Sequence, residues 1–125
     1  MKLLLDTHVV LWALAGGGRL RSVTRLAITD PANLVAVSAA SAWEITIKRE
    51  LGRLKAPTDL RSAVAETGFD ELPISFEHAE TAGSLPRHHD DPFDRMLVAQ
   101  ALVEGLSLVT ADSRLAAYPI HVLPA

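Results

Sequence analysis

The chain has 125 residues, 49% hydrophobic and 22% charged, with a formal net charge of −3 and no cysteine. This length and apolar content suit one domain with its own core and exclude a mostly disordered chain. The lack of cysteine excludes disulfides, zinc-thiolate centres and thiol nucleophiles, and the mildly acidic balance excludes a nucleic-acid coat protein, though not a nuclease whose acidic site itself subtracts charge.

Lys2 to Leu5 reads as a short buried strand, ended by Asp6 and followed by a helical stretch through Ala15. Asp6 and His8 interrupt this first apolar run too early for an export signal. The longest uncharged stretch, Val9 to Gly18, is about half the length of a membrane span, so a soluble, cytoplasmic protein is expected. Gly16-Gly17-Gly18 breaks the chain. A second helix is predicted with Ser22 as N-cap and an end near Asp30-Pro31. Leu34 to Val37 is the next buried strand.

Ser38 or Ser41 then caps a helix to about Leu51, with Gly52 as its stop. Trp43, Ile47 and Leu51 recur at i, i+4, i+8 and are expected to form its core stripe, with Ser41, Glu44 and Lys48 on a separate polar stripe. Thr58 is expected to cap another helix closed by Gly68. Glu71 to Ile74 reads as a third strand, and Ser75 opens a short helix ending near Gly83.

The loop Pro86-Arg87-His88-His89-Asp90-Asp91-Pro92 follows, with Asp91 as N-cap and Pro92 at the first helical position. This helix runs to Gly105, with Phe93, Leu97 and Ala101 facing inward. Ser107 to Thr110 is a fourth strand, Asp112 caps a short helical turn, and Ile120 to Leu123 is a fifth strand. Strands alternating with helices predict an α/β fold, a parallel sheet covered on both faces as one three-layer domain.

Four acids, Asp6, Glu44, Asp94 and Asp112, stand near predicted strand-to-helix junctions, which in an open α/β sheet share the carboxyl edge where ligands bind. Each has an ordinary reading alone. Asp6 and Asp112 can cap helices, Glu44 can form a capping box with Ser41 or pair with Lys48, and Asp94 complements a helix dipole. Together they would repel one another unless a cation intervened, and carboxylate-rich oxygen sites suit Mg²⁺ or Mn²⁺. Phosphate is the natural co-ligand, which points to phosphodiester chemistry. His88 and His89, adjacent in the acidic loop, are expected to be solvent-exposed, and His8 to line the crevice. Lys48, Arg49, Arg53, Lys55 and Arg61 form a basic segment. Within it Lys48, Arg49 and Arg53 are candidates for RNA phosphate contacts, and a solvated helix end is the alternative.

With these residues in view the chain resembles the PIN-domain ribonucleases of the VapC toxin type, over nearly its whole length. The resemblance is carried by Leu4-Leu5-Asp6-Thr7-His8, by Val37-Ser38-Ala39-Ala40-Ser41-Ala42-Trp43-Glu44-Ile45 with Lys48 and Gly52-Arg53-Leu54, and by Leu72-Pro73-Ile74. It continues through His89-Asp90-Asp91-Pro92-Phe93-Asp94-Arg95, Ala99-Gln100-Ala101 and Val109-Thr110-Ala111-Asp112. It implies a three-layer α/β/α PIN domain over residues 1–125 with a central five-stranded parallel sheet. It also implies a catalytic and metal site on Asp6, Glu44, Asp94 and Asp112. Thr110, with Ser38 or Thr7, would orient water at the metal, and Asp91 would support the cluster. The activity implied is Mg²⁺-dependent endoribonuclease cleavage leaving a 3′-hydroxyl and a 5′-phosphate. The partners implied are an RNA substrate, a second copy in a homodimer, and a VapB-type antitoxin of the same toxin–antitoxin system whose tail blocks the crevice. Trp12, Leu14 and Ile45 are candidates for a dimer or antitoxin surface, or for the core.

Two other classes compete. An aspartyl-nucleophile phosphatase usually carries a second aspartate two residues on, where this chain has His8. A receiver-like phosphoacceptor, or another acidic metal-binding α/β module without nuclease activity, would place a lysine after a late strand, where this chain has Asp112.

Overall fold

A computed structural model describes residues 1–125. Five strands form one parallel sheet in the order β3-β2-β1-β4-β5: β1 (Lys2–Leu5), β2 (Leu34–Ser38), β3 (Asp70–Leu72), β4 (Ser107–Thr110) and β5 (Val122–Pro124). The helices are α1 (Thr7–Leu14), α2 (Ser22–Thr29), α3 (Ala39–Glu50), α4 (Leu60–Glu66), α5 (Phe76–Ser84) and α6 (Pro92–Glu104), with a 3-10 turn at Ser113–Ala117. This is the expected α/β architecture of five parallel strands. No helix is long and apolar enough to cross a membrane.

Side chains alternate across a strand, and here that alternation builds two cores. Leu3, Leu5, Val35, Val37 and Val109 point to one face and pack with Val9, Val10, Ile28, Ile45 and Val64. Leu4, Ala36 and Leu108 point to the other and pack with Leu97, Val98, Ala101, Leu115 and Tyr118. Both faces are covered, so the inner strands β1, β2 and β4 are mostly apolar runs, as a parallel sheet requires, while the edge strand β3 is largely exposed.

The order reverses at β1: β2 and β3 are added on one side, β4 and β5 on the other. Register aligns Leu5 with both Val37 and Val109, so Asp6, Ser38 and Thr110 leave the sheet side by side at its carboxyl edge. A crevice at such a switch point is where open α/β sheets bind ligands.

Several local expectations are corrected. Ser22 is the first helical residue of α2, whose N-cap, Arg21, makes no side-chain cap bond. The α4 cap is Asp59, not Thr58; its carboxylate reaches the Ser62 N–H one turn in, as a cap must. Strand β3 ends at Leu72, before Pro73, which has no N–H to donate, and β5 is displaced to Val122–Pro124. Ser38, rather than Ser41, caps α3.

The largest correction concerns which face of α3 is inside. Trp43 and Leu51 are 63% and 60% exposed and Ile47 is also exposed, whereas Ala40, Ser41, Glu44 and Ile45 are buried. The apolar stripe exists, but it faces away from the sheet. Trp43 meets the half-buried Phe93 edge-on, with ring centroids 5.4 Å apart.

Candidate active site

The acids stand where short local signals put them. Asp6 ends β1 and caps α1, its Oδ1 accepting the Val9 N–H at 2.9 Å. Asp91 caps α6 through the Phe93 and Asp94 N–H groups, and Pro92 occupies the first turn, so Asp94 projects from a fixed helix start. Asp112 follows β4 and caps the 3-10 turn. Glu44 lies on the buried face of α3, which packs against both α1 and α6. The α6 start is preceded by α5 and a loop rather than by a strand, yet it reaches the same edge.

All four acids line one cleft of about 370 Å³, together with Thr7, His8, Trp12, Lys48, His89, Asp91 and Arg114. They differ in what neutralises them. Glu44 is 4% exposed; its Oε1 accepts the Thr7 hydroxyl and its Oε2 pairs with Lys48 Nζ at 2.7 Å. Asp112 is gripped by Arg114, with Nε on Oδ1 at 3.0 Å and Nη2 on Oδ2 at 2.7 Å. Neither Asp6 nor Asp94 has a lysine or arginine partner. Asp6 receives only the Val9 N–H and the Thr110 hydroxyl.

The electrostatics follow this division. Burial raises the Asp6 carboxyl above its ordinary range, against the pull of its Thr110 and Val9 hydrogen bonds. Burial and the nearby Asp91 charge push Asp94 up to about 6, with Asp6 and Glu44 adding to the rise and His89 opposing it. Asp112 moves the other way, because hydrogen bonds from Arg114 hold it well below the usual carboxylate range. Two under-neutralised carboxylates beside two neutralised ones form a hard-oxygen donor set that suits a divalent cation.

His89 was expected to be exposed and is not; only 7% of its side chain is accessible. Its Nε2 lies 3.1 Å from both Asp94 Oδ2 and Asp112 Oδ2. The Asp91 N–H donates to its Nδ1, so in the neutral ring the hydrogen sits on Nε2, facing the two carboxylates. The loop is held in place by Arg95, which donates to the carbonyls of Ala82, Leu85, Pro86 and His89, and by Tyr118, whose hydroxyl donates to Pro86 O and accepts the His89 N–H. His88, one residue earlier, is exposed and lies edge-on to Tyr118. The sequence does not distinguish the two histidines, because the contacts of Arg95 and Tyr118 are what turn His89 inward.

The remaining candidates divide as well. Thr110 and Thr7 touch the acids, whereas the Ser38 hydroxyl accepts the Ala40 N–H at the α3 start. Ser41 is fully buried, with its hydroxyl 3.1 Å from that of Thr7. Lys48 borders the cleft, Arg53 is exposed, and Arg49 is engaged with Pro57 O at 2.7 Å. Ile45 is wholly in the core, while Trp12 and Leu14 are half-buried.

A family model of the PIN domain matches residues 3–120. The chain belongs to the PIN domain family. Among PIN proteins it is 34% identical over 115 residues to ribonuclease VapC22 of Mycobacterium tuberculosis, which covers 90% of this chain and 88% of that relative. The PIN fold also superposes on the crystal structure of VapBC2 from Rickettsia felis bound to a DNA fragment from their promoter. That match has a TM-score of 0.73 and 16% identity over 99% of this chain and 98% of that one. DNA-bound VapBC from Salmonella typhimurium matches with a TM-score of 0.73 and 18% identity, again over 99% and 98%.

Proposed function

We propose that this PIN protein is a metal-dependent endoribonuclease of the VapC toxin type, acting as one domain over residues 1–125 in the cytoplasm. In this reading it is a homodimer held in check by a VapB-type antitoxin. One observation carries the reading: four acids from distant parts of the chain share one cleft, and two of them lack a lysine or arginine partner. The ribonuclease name of a relative that matches nine-tenths of the chain supports it.

Asp6 and Asp94 are the residues that would hold Mg²⁺, with Mn²⁺ as a substitute. A divalent ion in that position supplies Lewis-acid charge to a phosphodiester and lowers the pKa of water. The chain's own groups do the rest. Thr110 and the Val9 N–H fix the Asp6 carboxylate, and the Asp91 cap fixes the helix start that carries Asp94. Glu44, aimed by Thr7, and Asp112, aimed by Arg114 and His89, stand ready to complete a second metal position or to orient attacking water. Lys48 and Arg114, at the same cleft, supply positive charge to flanking phosphates, and exposed Arg53 extends that track. Arg49 joins it only if it leaves the Pro57 carbonyl. Cleavage in this reading leaves a 3′-hydroxyl and a 5′-phosphate.

The test is hydrolysis of RNA by the purified protein with Mg²⁺, with Mn²⁺ and with chelator. Metal-dependent cleavage that a cognate antitoxin suppresses is expected. Metal binding without hydrolysis would instead favour the non-nuclease acidic module.

A further inference from the structure

The α1 wall of the cleft carries aromatic rings that the acid chemistry does not use. His8 and Trp12, one helical turn apart, line the same cleft as the four acids, with ring centroids 6.2 Å apart and planes inclined by 45°. His8 is exposed, and Trp12 is half-buried, packed on one side against the core of that sheet face. Arg19, also exposed, places its guanidinium carbon 5.9 Å from the indole centroid. None of the three side chains makes a hydrogen bond within the protein, the indole N–H included, so no internal polar network accounts for them. A rigid, partly open indole beside a phosphate-directed acid cluster, already attracting a planar cation, has the character of a nucleobase platform.

The geometry points to a base-stacking subsite formed by Trp12 and His8, which receives the base of a nucleotide flanking the phosphate held at the acids, with Arg19 drawn to its backbone. The inference rests on the ribonuclease reading and adds the residues that receive a base. The base must be unpaired, because only an unstacked base offers a π-face to a side chain. Stacking alone makes the subsite tolerant of base identity.

The chain has two tryptophans. In an Asp6→Asn, Trp43→Phe background, binding proceeds without hydrolysis and Trp12 is the sole indole. Titration with a mixed-sequence single-stranded oligoribonucleotide should then quench its fluorescence. Read by the anisotropy of a labelled oligoribonucleotide, since no indole then remains, adding Trp12→Leu should weaken binding about ten-fold, while Trp12→Phe, which also fills the space but stacks, should stay within about three-fold of the parent. An oligoribonucleotide with its bases removed should bind the Leu and Phe variants equally. His8→Ala, at an exposed position, gives a variant that does not disturb the core and should weaken binding about three-fold. If RNA binds without quenching and the Leu and Phe variants bind it alike, the subsite is overturned and the nuclease reading stands. If the unaltered protein fails to hydrolyse RNA at all, the nuclease reading falls and the subsite falls with it.

Discussion

Asp6 and Asp94 have no lysine or arginine partner, unlike Glu44 and Asp112, and the chemistry assigned to them follows from that difference. Asp6→Asn or Asp94→Asn should abolish RNA cleavage while circular dichroism shows an unchanged fold; full activity in either variant would remove that residue from the metal position. The raised Asp94 pKa makes a second, separable prediction. Its folded-state value of about 6 lies above the ordinary 3.8. The contribution of this group to stability is thus complete below the ordinary value and is lost as pH rises through about 6. Metal-free Asp94→Asn should be more stable than the parent at about pH 7, by on the order of 1–3 kcal/mol, and the gain should vanish toward about pH 4. Urea titrations at the two pH values check it, and a pH-independent difference would mean the carboxylate is not the cause. Asp112, held low by Arg114, should lose its contribution only as pH falls below the ordinary carboxylate range.

At the scale of elements, α3 and α6 show how far a residue pattern carries. Leu97 of α6 is fully buried, so Leu97→Ala should cost about 2–5 kcal/mol in chemical denaturation. Trp43→Ser and Leu51→Ser, on the exposed stripe of α3, should each cost less than about 1 kcal/mol in the isolated chain. Comparable losses at all three positions would return the α3 stripe to the interior. The periodicity in α3 was legible, but periodicity identifies a stripe and not which side of the helix meets the sheet. Small Ala40 lets α3 approach the sheet, and the demands of the cleft draw Ser41 and Glu44 inward. Polar burial at a site is the circumstance in which a hydrophobicity rule misassigns a face. Caps with strong chemistry are legible in the sequence: Asp91-Pro92 and Ser75 start helices where expected. Asp59 was missed because Thr58, beside it, offers the same capping chemistry. Asp6 and Asp112 could be placed together from strand ends, whereas Glu44 lies inside α3 and Asp94 follows α5 and a loop. The inward turn of His89 could not be placed, because it depends on the Arg95 and Tyr118 contacts, which bring distant segments onto the loop.

For the molecule as a whole, ligand binding and folding are linked through the same cleft. Mg²⁺ or Mn²⁺ that binds the native state alone should raise the melting temperature, adding about 2.7 kcal/mol at a hundred-fold excess over Kd. The Asp6→Asn, Asp94→Asn double variant should lose this dependence, and unchanged melting of the parent across millimolar metal would argue against a preformed site. RNA affinity should fall with salt, and the slope should become shallower when Lys48 and Arg53 are neutralised together. An unaltered slope would remove both from the interface.

The reversal of strand order at β1 has a consequence for synthesis. The first strand made is the middle of the sheet, and it waits for β4 on one flank until most of the chain exists. Asp6 meets its hydroxyl partner Thr110 across 104 positions, and Asp112 lies further on still. A ribosome that stalls before this point releases a fragment in which Asp6 has neither Thr110 nor Asp112 beside it. A partial chain that lacks β4 therefore cannot assemble the acid cluster, which forms only when both flanks of β1 are filled.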